Sequence, residues 1–361
     1  MRQVGLVVRV VAGSAALVRL ARVRRRHRPV TPATTATSDG GPAISVVIPA
    51  RNEAGRIGPL LGAVVGAPGV SEVLVVDDQS TDDTAAVARR LGAIVVDGQP
   101  RPRGWAGKAW ALQQGLGAAQ GEWIVTLDAD TRPDPQLPAA VVARARTDAL
   151  DVVTLAGRFE CPTPGLRWLH PALLTTLVYR GAPPGAVDAG PVHRRMGNGQ
   201  CMAFPQATLA GAGGFATVAA HTVEDVALVR GLAVAGFAVE FLDASALLRV
   251  RMYESFADAW TGWGRSLSLP GVDPWLRRAL DLVVVAVAQA APLPRLLARR
   301  GDVLDVVLLI ARIGTLIGTA RAYDRRGPTY WLSPLADPLA IVALARGLVT
   351  RRQRWRGRTY G

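Results

Sequence analysis

Lysine and cysteine are nearly absent from this sequence. Lys108 is the only lysine, so arginine supplies the rest of the 42 basic residues. Cys161 and Cys201 lack the spacing of a metal site and are too few for a disulfide framework. Their scarcity excludes a small disulfide-stabilised domain and fits a reducing compartment. A lone lysine among so many arginines indicates a position that needs a compact ammonium group.

The charge balance is strongly basic, with a formal net charge of +14. The excess is concentrated at the two ends, in residues 22–28 and 351–358, each beside an apolar run. Such a balance is typical of proteins that contact nucleic acid or an anionic membrane surface. No DNA- or RNA-binding signature accompanies the basic residues. We therefore expect a membrane, and no nucleic acid, as a partner.

Long uninterrupted apolar runs are also missing. Residues 4–20 are apolar except for Arg9 and Arg19, and about 20 apolar residues are needed to span a bilayer. The basic cluster follows this run, so the positive-inside rule predicts a membrane anchor over residues 1–30 with the following residues in the cytoplasm. The alternative is a helix that lies in the membrane interface, because Arg9 interrupts the run.

The C-terminal part of the chain repeats this pattern. Residues 251–275 predict an amphipathic helix that either lies in a membrane interface or faces the protein core. Its apolar face comprises Phe256, Trp260, Trp263 and Leu267. Residues 276–361 predict membrane-associated helices with a basic tail. Their apolar stretches, each interrupted by charged residues or proline, are residues 279–294, 303–320 and 331–349.

Residues 44–250 follow a polar linker at residues 31–43 and predict an α/β domain. Short apolar runs alternate with helical stretches, which predicts a Rossmann-like, mainly parallel sheet with helices on its faces. The predicted strands are residues 44–48, 72–76, 93–96, 123–127 and 152–155. The predicted helices between them are residues 52–65, 81–91, 107–119 and 136–146. Residues 159–195, rich in Pro and Gly, are predicted to be irregular.

Two carboxylates, Asp128 and Asp130, follow the buried strand at residues 123–127. Ligands of open α/β sheets bind beyond the carboxyl ends of the strands. Residues i and i+2 of an extended chain point to the same side, so both carboxylates can meet one hard cation. Asp78 follows another strand at the same edge. The alternative is a solvated loop in which one aspartate caps the next helix.

Two further segments carry candidate chemistry. Glycines and Lys108 open the helix at residues 107–119, an arrangement that suits a phosphate or a sugar hydroxyl. A helix over residues 222–235, with Thr222 as its N-cap, carries Glu224 and Asp225. Consecutive helical residues do not share a face, so we expect only one of these two carboxylates to point into a site.

Five segments in this order resemble the family 2 glycosyltransferases, whose nucleotide-diphospho-sugar-binding domain has the GT-A fold: SVVIPARNE, VVDDQSTDDT, GWAGKAWA, LDAD and VEDVAL. The resemblance covers about residues 44–269. The GWAGKAWA segment, the C-terminal apolar stretches and the terminal WRGRTY are most similar to the membrane-associated branch, which includes hopanoid-associated and carotenoid glycosyltransferases. The implied fold is an α/β GT-A domain with N-terminal and C-terminal membrane-associated helices.

The resemblance also implies roles for individual residues. Asp225 would be the catalytic general base, and Asp130 with Asp128 would ligate a Mg²⁺ or Mn²⁺ ion that bridges the donor diphosphate. The donor would be bound by Pro49, Ala50, Glu53, Asp78, Lys108, Asp128 and Arg265. The acceptor side would be formed by Gly197, Asn198, Gly199, Gln200 and Glu224.

The implied function is inverting transfer of a sugar from a nucleotide-diphosphate sugar, expected to be UDP-linked. The expected acceptor is a lipid (a hopanoid, a carotenoid or a polyprenyl phosphate) at the cytoplasmic face of the cell membrane. The Gln-x-x-Arg-Trp motif of processive polysaccharide synthases is missing, since the region up to Arg265 reads WTGWGR. A non-catalytic membrane scaffold is the alternative, and the retained acidic residues disfavour it. A nucleotidyltransferase is disfavoured because PARNE, not a glycine-rich basic loop, follows the first strand.

Overall fold

The computed structural model describes residues 2–22, 25–32, 41–187, 189–349, 353–355 and 358–360. Its strands are β1 (Ile44–Ala50), β2 (Val70–Asp77), β3 (Ile94–Asp97), β4 (Trp123–Leu127), β5 (Thr131–Pro133), β6 (Val152–Ala156), β7 (Arg158–Phe159), β8 (Cys201–Pro205), β9 (Val239–Asp243), β10 (Leu248–Val250), β11 (Gln353–Trp355) and β12 (Arg358–Tyr360). Its helices are α1 (Arg2–Ala21), α2 (Gly58–Val64), α3 (Thr84–Arg90), α4 (Gly107–Ala118), α5 (Leu137–Thr147), α6 (Pro164–Arg180), α7 (Gln206–Gly211), α8 (Glu224–Val234), α9 (Phe256–Ser266), α10 (Trp275–Val285), α11 (Pro292–Leu297), α12 (Val303–Thr319), α13 (Gly327–Trp331) and α14 (Asp337–Val349).

A seven-stranded sheet with the order β3-β2-β1-β4-β8-β6-β9 forms the centre of the molecule. Its neighbouring strands are parallel except where β8 runs antiparallel to β4 and β6. The mainly parallel α/β sheet predicted from the sequence is confirmed. Because β1, β2 and β4 run in the same direction, their carboxyl ends meet at one edge of the sheet.

Alternate side chains of the central strands pack on opposite faces of the sheet. Val46 and Ile48 of β1 lie in one buried cluster together with aliphatic residues of α2 and α5. Val47, between them, lies in a second cluster with residues of α4 and α8. This alternation follows from the two-residue period of a strand. Helices cover both faces of β1, so the strand is apolar apart from Ser45.

Three sequence-based assignments in this region were wrong. Residues 159–195 are not irregular throughout, since α6 occupies Pro164–Arg180, with Thr163 capping it through a bond from the Leu166 amide. Proline at a first helical position costs no hydrogen bond, so a proline-rich segment can still begin a helix. The predicted helix at residues 52–65 begins only at Gly58, because Asn52 has a left-handed φ of 54° and turns follow it. Thr222 is not the N-cap of α8; Val223 precedes that helix with non-helical φ and ψ.

A second, three-stranded sheet has the order β5-β10-β7. β10 runs antiparallel to β5 and parallel to β7. One face of β10 is buried, because Leu248 and Val250 belong to the core cluster beneath the large sheet. The arginine between them, Arg249, therefore lies on the outer face, where its side chain is 63% exposed. This small sheet connects the edge that holds Asp130 to the C-terminal helices.

The terminal helices α1, α10, α12 and α14 pack together with α6 and α9 around a third buried cluster. Trp263 and Leu267, on the apolar face predicted for residues 251–275, are buried there, whereas Phe256 remains exposed. This face of α9 therefore contacts protein over most of its length.

The charged residues that interrupt the apolar stretches pair with one another in this bundle. Arg19 of α1 lies 2.8 Å from Asp281 of α10. Arg312 of α12 lies 2.8 Å from Asp337 of α14, and both side chains are almost fully buried. Arg9 likewise contacts Asp305 at 2.9 Å. The charged residues that break the apolar runs in the sequence therefore have counter-ions on neighbouring helices.

In the described part of the chain, two helical segments are long and apolar enough to cross a membrane: Gln3–Ala21 and Val303–Ala322. Each buries one face in the third cluster and exposes aliphatic side chains on the other. The exposed ones on α12 are Val303, Val306, Val307, Ile310, Ile313 and Ile317. The apolar stretches at residues 279–294 and 331–349 form shorter helices, with 11 residues in α10 and 13 in α14.

Candidate active site

A cavity of about 730 Å³ opens at the edge of the large sheet where β1, β2 and β4 end. Nine of the sequence-predicted site residues line it: Pro49, Ala50, Glu53, Asp78, Lys108, Asp128, Asp130, Glu224 and Asp225. They come from separate segments of the chain. The parallel order of the strands brings these segments together, since each follows a strand or begins a helix at this edge.

The wall formed after β1 and β2 is a continuous hydrogen-bonded unit. The amide of Asp78 donates to the carbonyl of Ala50 over 2.8 Å. The amide of Glu53 donates to the Thr84 hydroxyl over 2.8 Å, and its carboxylate lies 3.0 Å from Nε of Arg56. Burial raises the pKa of Glu53 to about 7 despite the opposing charge of Arg56. Hydrogen bonds hold this wall together, and it carries a carboxyl group of reduced acidity.

Lys108 lies between two carboxylates at the base of the cavity. Its Nζ is 2.7 Å from Oδ1 of Asp128 and 3.1 Å from Oε1 of Glu224. Burial by itself lowers the pKa of Lys108, but the surrounding carboxylate charges outweigh it and raise the pKa above its ordinary value. The lysine is therefore a permanent cation inside an acidic cluster. The compact ammonium expected at this position makes two short contacts there.

Asp128 and Asp130 follow directly after β4. The amide of Asp128 donates to the carbonyl of Gln200 over 3.1 Å, which holds the loop against the start of β8. Burial and the neighbouring charge of Asp128 raise the pKa of Asp130 to about 7. Oδ1 of Asp130 is buried and has no hydrogen-bond partner among the described residues. An orphaned carboxylate oxygen beside a second carboxylate fits a ligand of a divalent cation.

The protein alone does not complete such a cation site. Across the ranges that the structure describes, no group of three His, Cys, Asp or Glu side chains is arranged to hold a metal ion. Mg²⁺ typically binds through one or two carboxylates, with substrate phosphates and water as its other ligands. The pair Asp128 and Asp130 fits this shared type of site, in which the substrate completes the coordination.

Glu224 and Asp225 both face the cavity, which corrects the expectation that only one of them would. They are the first two residues of α8, and the cavity lies beyond the end of this helix rather than along its side. Side chains of a first turn fan out around the helix end, so neighbours can reach the same space. Glu224 contacts Lys108, while Oδ2 of Asp225 accepts a 2.7 Å bond from the amide of Gly199.

The environment of Asp225 suits a proton acceptor. Burial and the charge of Glu224 raise the pKa of Asp225 to about 6, although the amides of Gly199 and Val226 donate to it and oppose the shift. Its carboxylate is thus held in one orientation and is deprotonated at neutral pH. A general base works best when its pKa lies near the working pH.

The segment at residues 197–200 supports the carboxylates from behind. A Cβ atom on Gly199 would lie 2.7 Å from Nζ of Lys108, and one on Gly197 would lie 2.7 Å from the carbonyl of Asp225. Gly197 therefore has no room for a side chain against the backbone of α8, and a side chain at position 199 would displace the Lys108 ammonium. The backbone amide of Asn198 donates to the Thr154 hydroxyl, and the carbonyl of Gln200 accepts from the amide of Asp128. These residues shape the cavity floor without lining it.

Comparison with known proteins identifies the domain that carries this cavity. Residues 45–198 match the model of the family described as glycosyl transferase family 2. Residues 45–198 form a family 2 glycosyltransferase domain. The matched residues include β1, β2, α4 and β4, and with them Asp78, Lys108, Asp128 and Asp130. The resemblance that the sequence motifs indicated is confirmed.

One relative and one solved structure match more of the chain than the family 2 domain. A 4,4'-diaponeurosporenoate glycosyltransferase of Staphylococcus aureus (strain USA300) is 31% identical over 257 residues. That alignment covers 66% of this chain and 65% of the relative, so the chain spans somewhat less than two thirds of the curated relative's length. The solved structure of mannosyltransferase PcManGT from Pyrobaculum calidifontis, in complex with GDP-Man and Mn²⁺, has a TM-score of 0.57 at 20% identity. It covers 95% of this chain and 97% of its own, and it confirms the GT-A fold.

Residues that sequence reasoning missed form the opposite wall of the cavity in front of the family 2 domain. They come from the segment after β10 and from α9: Met252, Tyr253, Glu254, Asp258, Thr261, Gly262 and Ser266. No motif marks them, because they reach the cavity only through the packing of α9 on α6 and α14. Arg265 lies on α9 as well, and its side chain is outside the described part of the structure.

Proposed function

We propose that this protein is an inverting, metal-dependent glycosyltransferase that moves a sugar from a UDP-linked donor to a lipid acceptor at the cytoplasmic face of a membrane. One observation carries the proposal: a single cavity combines the Asp128 and Asp130 pair, the Lys108 cation and the buried Asp225 carboxylate. These are the groups that displacement of a nucleoside diphosphate from a sugar requires. A hopanoid, a carotenoid or a polyprenyl phosphate is the acceptor class.

The comparisons support the two substrates to different extents. The name of the Staphylococcus aureus relative specifies a carotenoid-type acceptor, which supports a lipid. PcManGT was solved in complex with a guanosine diphosphate sugar and Mn²⁺, which supports a nucleotide sugar and a divalent cation. Uridine and guanosine donors are therefore the first two to be compared for this protein.

The leaving diphosphate would be bound at the base of the cavity. Asp128 and Asp130 would hold Mg²⁺ or Mn²⁺, which when bound neutralises part of the negative charge that develops on the leaving oxygens. Lys108 adds a fixed positive charge beside them. Such preorganised charges stabilise a transition state more than a flexible solvent does. Pro49, Ala50, Glu53 and Asp78 would line the nucleoside part of the donor.

Asp225 would accept the proton of the attacking hydroxyl. Its Oδ2 is held by the Gly199 amide, so its orientation does not change as the proton is taken. A single displacement with one base inverts the anomeric carbon, and no carboxylate nucleophile is required as it is in a retaining glycosidase. Glu224 keeps Lys108 in place and stands beside the base on the acceptor side.

Membrane association would bring the lipid acceptor to this cavity. The exposed aliphatic faces of α1 and α12 support burial of these helices in lipid, since contiguous apolar patches on a protein surface mark interaction sites. Arg19 pairs with Asp281 and Arg312 with Asp337 inside the bundle. Such ion pairs are compatible with burial of these helices in lipid, because each charge has a counter-ion. The catalytic cavity would then open near the headgroups.

Replacing Asp130 by Asn should weaken metal-dependent nucleotide binding. The amide has the size of the carboxylate but lacks the charge that attracts a divalent cation, so UDP affinity in Mn²⁺ should fall by about 10–100-fold, the range seen when a metal site loses a supporting group. Isothermal titration with UDP in Mn²⁺ and in EDTA measures this. Asp97→Asn, an exposed aspartate that does not line the cavity, is the matched control. Equal UDP affinity of Asp130→Asn and the parent in Mn²⁺ would reject Asp130 as a metal ligand.

The function itself is tested with membranes that contain the protein. They are incubated with a panel of radiolabelled UDP- and GDP-sugars in Mn²⁺, and the labelled lipid is identified by mass spectrometry. We expect label from one UDP-sugar in a lipid extract, and for a hydroxyl acceptor at least about 10²-fold less label with Asp225→Asn membranes. If no sugar is transferred and the purified protein also binds neither UDP nor GDP in Mn²⁺, the non-catalytic scaffold is the correct alternative.

A further inference from the structure

Three arginines stand side by side on the outer face of the small sheet. Arg249 of β10 is in register with Arg132 of β5 on one side and with Arg158 of β7 on the other. Residues that are directly opposite on neighbouring strands point to the same face of a sheet, and like charges in such positions destabilise it. The row of three arginines therefore destabilises this small sheet, and the packing of the sheet gives no reason for it.

The row leads directly to the catalytic cavity. The amide of Arg251 donates to the carbonyl of Asp130 over 3.1 Å, which continues the pairing of β10 with β5 by one residue. Arg251 thus stands opposite Asp130, the proposed metal ligand. Glu254, which lines the cavity, pairs with Arg251 at 2.7 Å. We name Arg132, Arg158, Arg249 and Arg251 the arginine strip.

Acidic neighbours neutralise the arginine strip only in part. Glu160 lies 3.7 Å from Arg249, and Glu254 pairs with Arg251. These two glutamates and Asp130, whose charge acts on Arg132, face four arginines. Within the residues that the structure describes, the buried Nε of Arg158 has no hydrogen-bond partner. A buried guanidinium N–H without an acceptor points to a ligand that supplies one.

The far end of the arginine strip adjoins the C-terminal helices. Phe159, next to Arg158, forms a bridge with Tyr323, and the amide of Asp324 donates to the Phe159 carbonyl over 3.1 Å. These residues directly follow α12, which carries one of the two helical segments long enough to cross a membrane. The strip therefore extends from the end of an apolar helix to the cavity that holds Asp130.

We propose that the arginine strip binds an anionic group, a phosphate or a carboxylate, on the lipid acceptor. This inference rests on the proposed function and narrows its acceptor class to lipids with a negatively charged head. Arginine binds both groups through paired N–H donors, so a row of arginines can hold such a head in a fixed position. The lipid tail would lie along the C-terminal helices, and the head would lie beside the donor diphosphate.

Asp225 lines the cavity, whereas the arginine strip lies beside it next to Asp130, which divides their roles. Where a hydroxyl near the anion attacks the sugar, Asp225 takes its proton. Where the anion itself attacks, it arrives deprotonated, and transfer no longer depends on Asp225. The strip serves both cases by placing the acceptor, so its contribution is to acceptor binding and not to proton transfer.

The test compares two lipids with the same tail, geranylgeranyl phosphate with an anionic phosphate head and geranylgeraniol with a neutral hydroxyl head. The full-length protein is held in neutral dodecyl maltoside micelles with Mn²⁺ and UDP, and lipid binding is followed by tryptophan fluorescence. We expect the phosphate to bind at least about tenfold more tightly, as charge-assisted hydrogen bonds to arginine imply. In Arg158→Gln/Arg249→Gln this preference should fall to about threefold or less. Arg89→Gln, which removes an exposed arginine paired with Asp97, should keep the full preference.

Four results would overturn the inference. They are equal binding of the two lipids by the parent, an unchanged preference in the double variant, competition by phosphatidylglycerol as strong as that by geranylgeranyl phosphate, and loss of Mn²⁺-dependent UDP binding in the double variant. The third would show that the strip binds any anionic headgroup, and the fourth that it serves the donor. A parent that binds UDP without a charge preference refutes this inference alone, whereas one that binds no nucleotide refutes the proposed function.

Discussion

Replacing Asp225 by Asn is expected to lower sugar transfer to a hydroxyl acceptor by a factor of about 10²–10⁴, the range that a positioned general base contributes. The amide is close in size to the carboxylate and keeps an oxygen that can accept the 2.7 Å bond from the Gly199 amide. It cannot accept the proton of the attacking group. The cavity should therefore keep its shape and its nucleotide affinity while losing its chemistry.

The measurement does not require the natural acceptor. Slow release of UDP from a UDP-sugar, with water as the attacking hydroxyl, depends on the same base. It is compared between the parent, Asp225→Asn and Asp97→Asn, an exposed control outside the cavity. Titration with UDP in Mn²⁺ checks that binding is retained. Release by Asp225→Asn at the parent rate would show that another group is the base.

The dependence on pH gives a second signature of the same residue. Burial raises the pKa of Asp225 to about 6, and only the deprotonated form can accept a proton. In saturating Mn²⁺, which keeps the carboxylate of Asp130 ionised, kcat/KM of the parent should therefore be constant above about pH 7 and fall about tenfold per pH unit below pH 6. With a base of ordinary aspartate pKa, kcat/KM would stay constant down to about two pH units lower. The position of this fall distinguishes a buried base from an exposed one.

Replacing Asp337 by Leu is expected to destabilise the folded protein by about 3–5 kcal/mol, the usual cost of breaking a buried ion pair. Arg312 is completely buried and holds Asp337 through two bonds of 2.8 and 2.9 Å. Gln289 donates to the same carboxylate over 2.7 Å. Without Asp337 the guanidinium remains buried with no counter-ion, which is costly in an apolar bundle.

The double variant Arg312→Met/Asp337→Leu separates charge from packing. Apolar residues of similar size often replace a buried ion pair at little cost, so the double variant should regain most of the lost stability. Thermal unfolding in neutral detergent is measured for both variants, with Arg89→Gln as the control for an exposed pair, expected to change stability by about 1 kcal/mol or less. If the double variant is as unstable as Asp337→Leu, the loss arises from packing and not from the unpaired charge.

Much of the family 2 domain could be predicted from the sequence for a simple reason. Strands that are covered on both faces are apolar along their length, and their ends are marked by the first polar residue. This pattern located β1, β2 and β4, and Asp128 after β4, to within about two residues. Different definitions of where a strand ends differ by about as much. The order of five short segments then indicated the family that residues 45–198 match.

The helix α6 was missed because the number of prolines in a segment says less about its structure than where each proline stands. Pro164 stands at the start of the helix, where its missing N–H costs nothing. Counting prolines and glycines over residues 159–195 does not distinguish a proline at a first turn from one in a loop. The wall of the cavity formed by α9 was missed as well, because that helix reaches the site by packing on α6.

The sequence by itself marked Lys108, Asp128, Asp130 and Asp225 as the candidate site residues, since they can be read from strand ends, a helix start and the order of motifs. Only the tertiary structure decided that Glu224 and Asp225 face the same cavity, that Arg312 neutralises Asp337, and that the arginine strip adjoins Asp130. Each of these depends on which residues stand opposite one another in space. Such pairing is set by strand register and helix packing between distant segments, and no local pattern of residues records it.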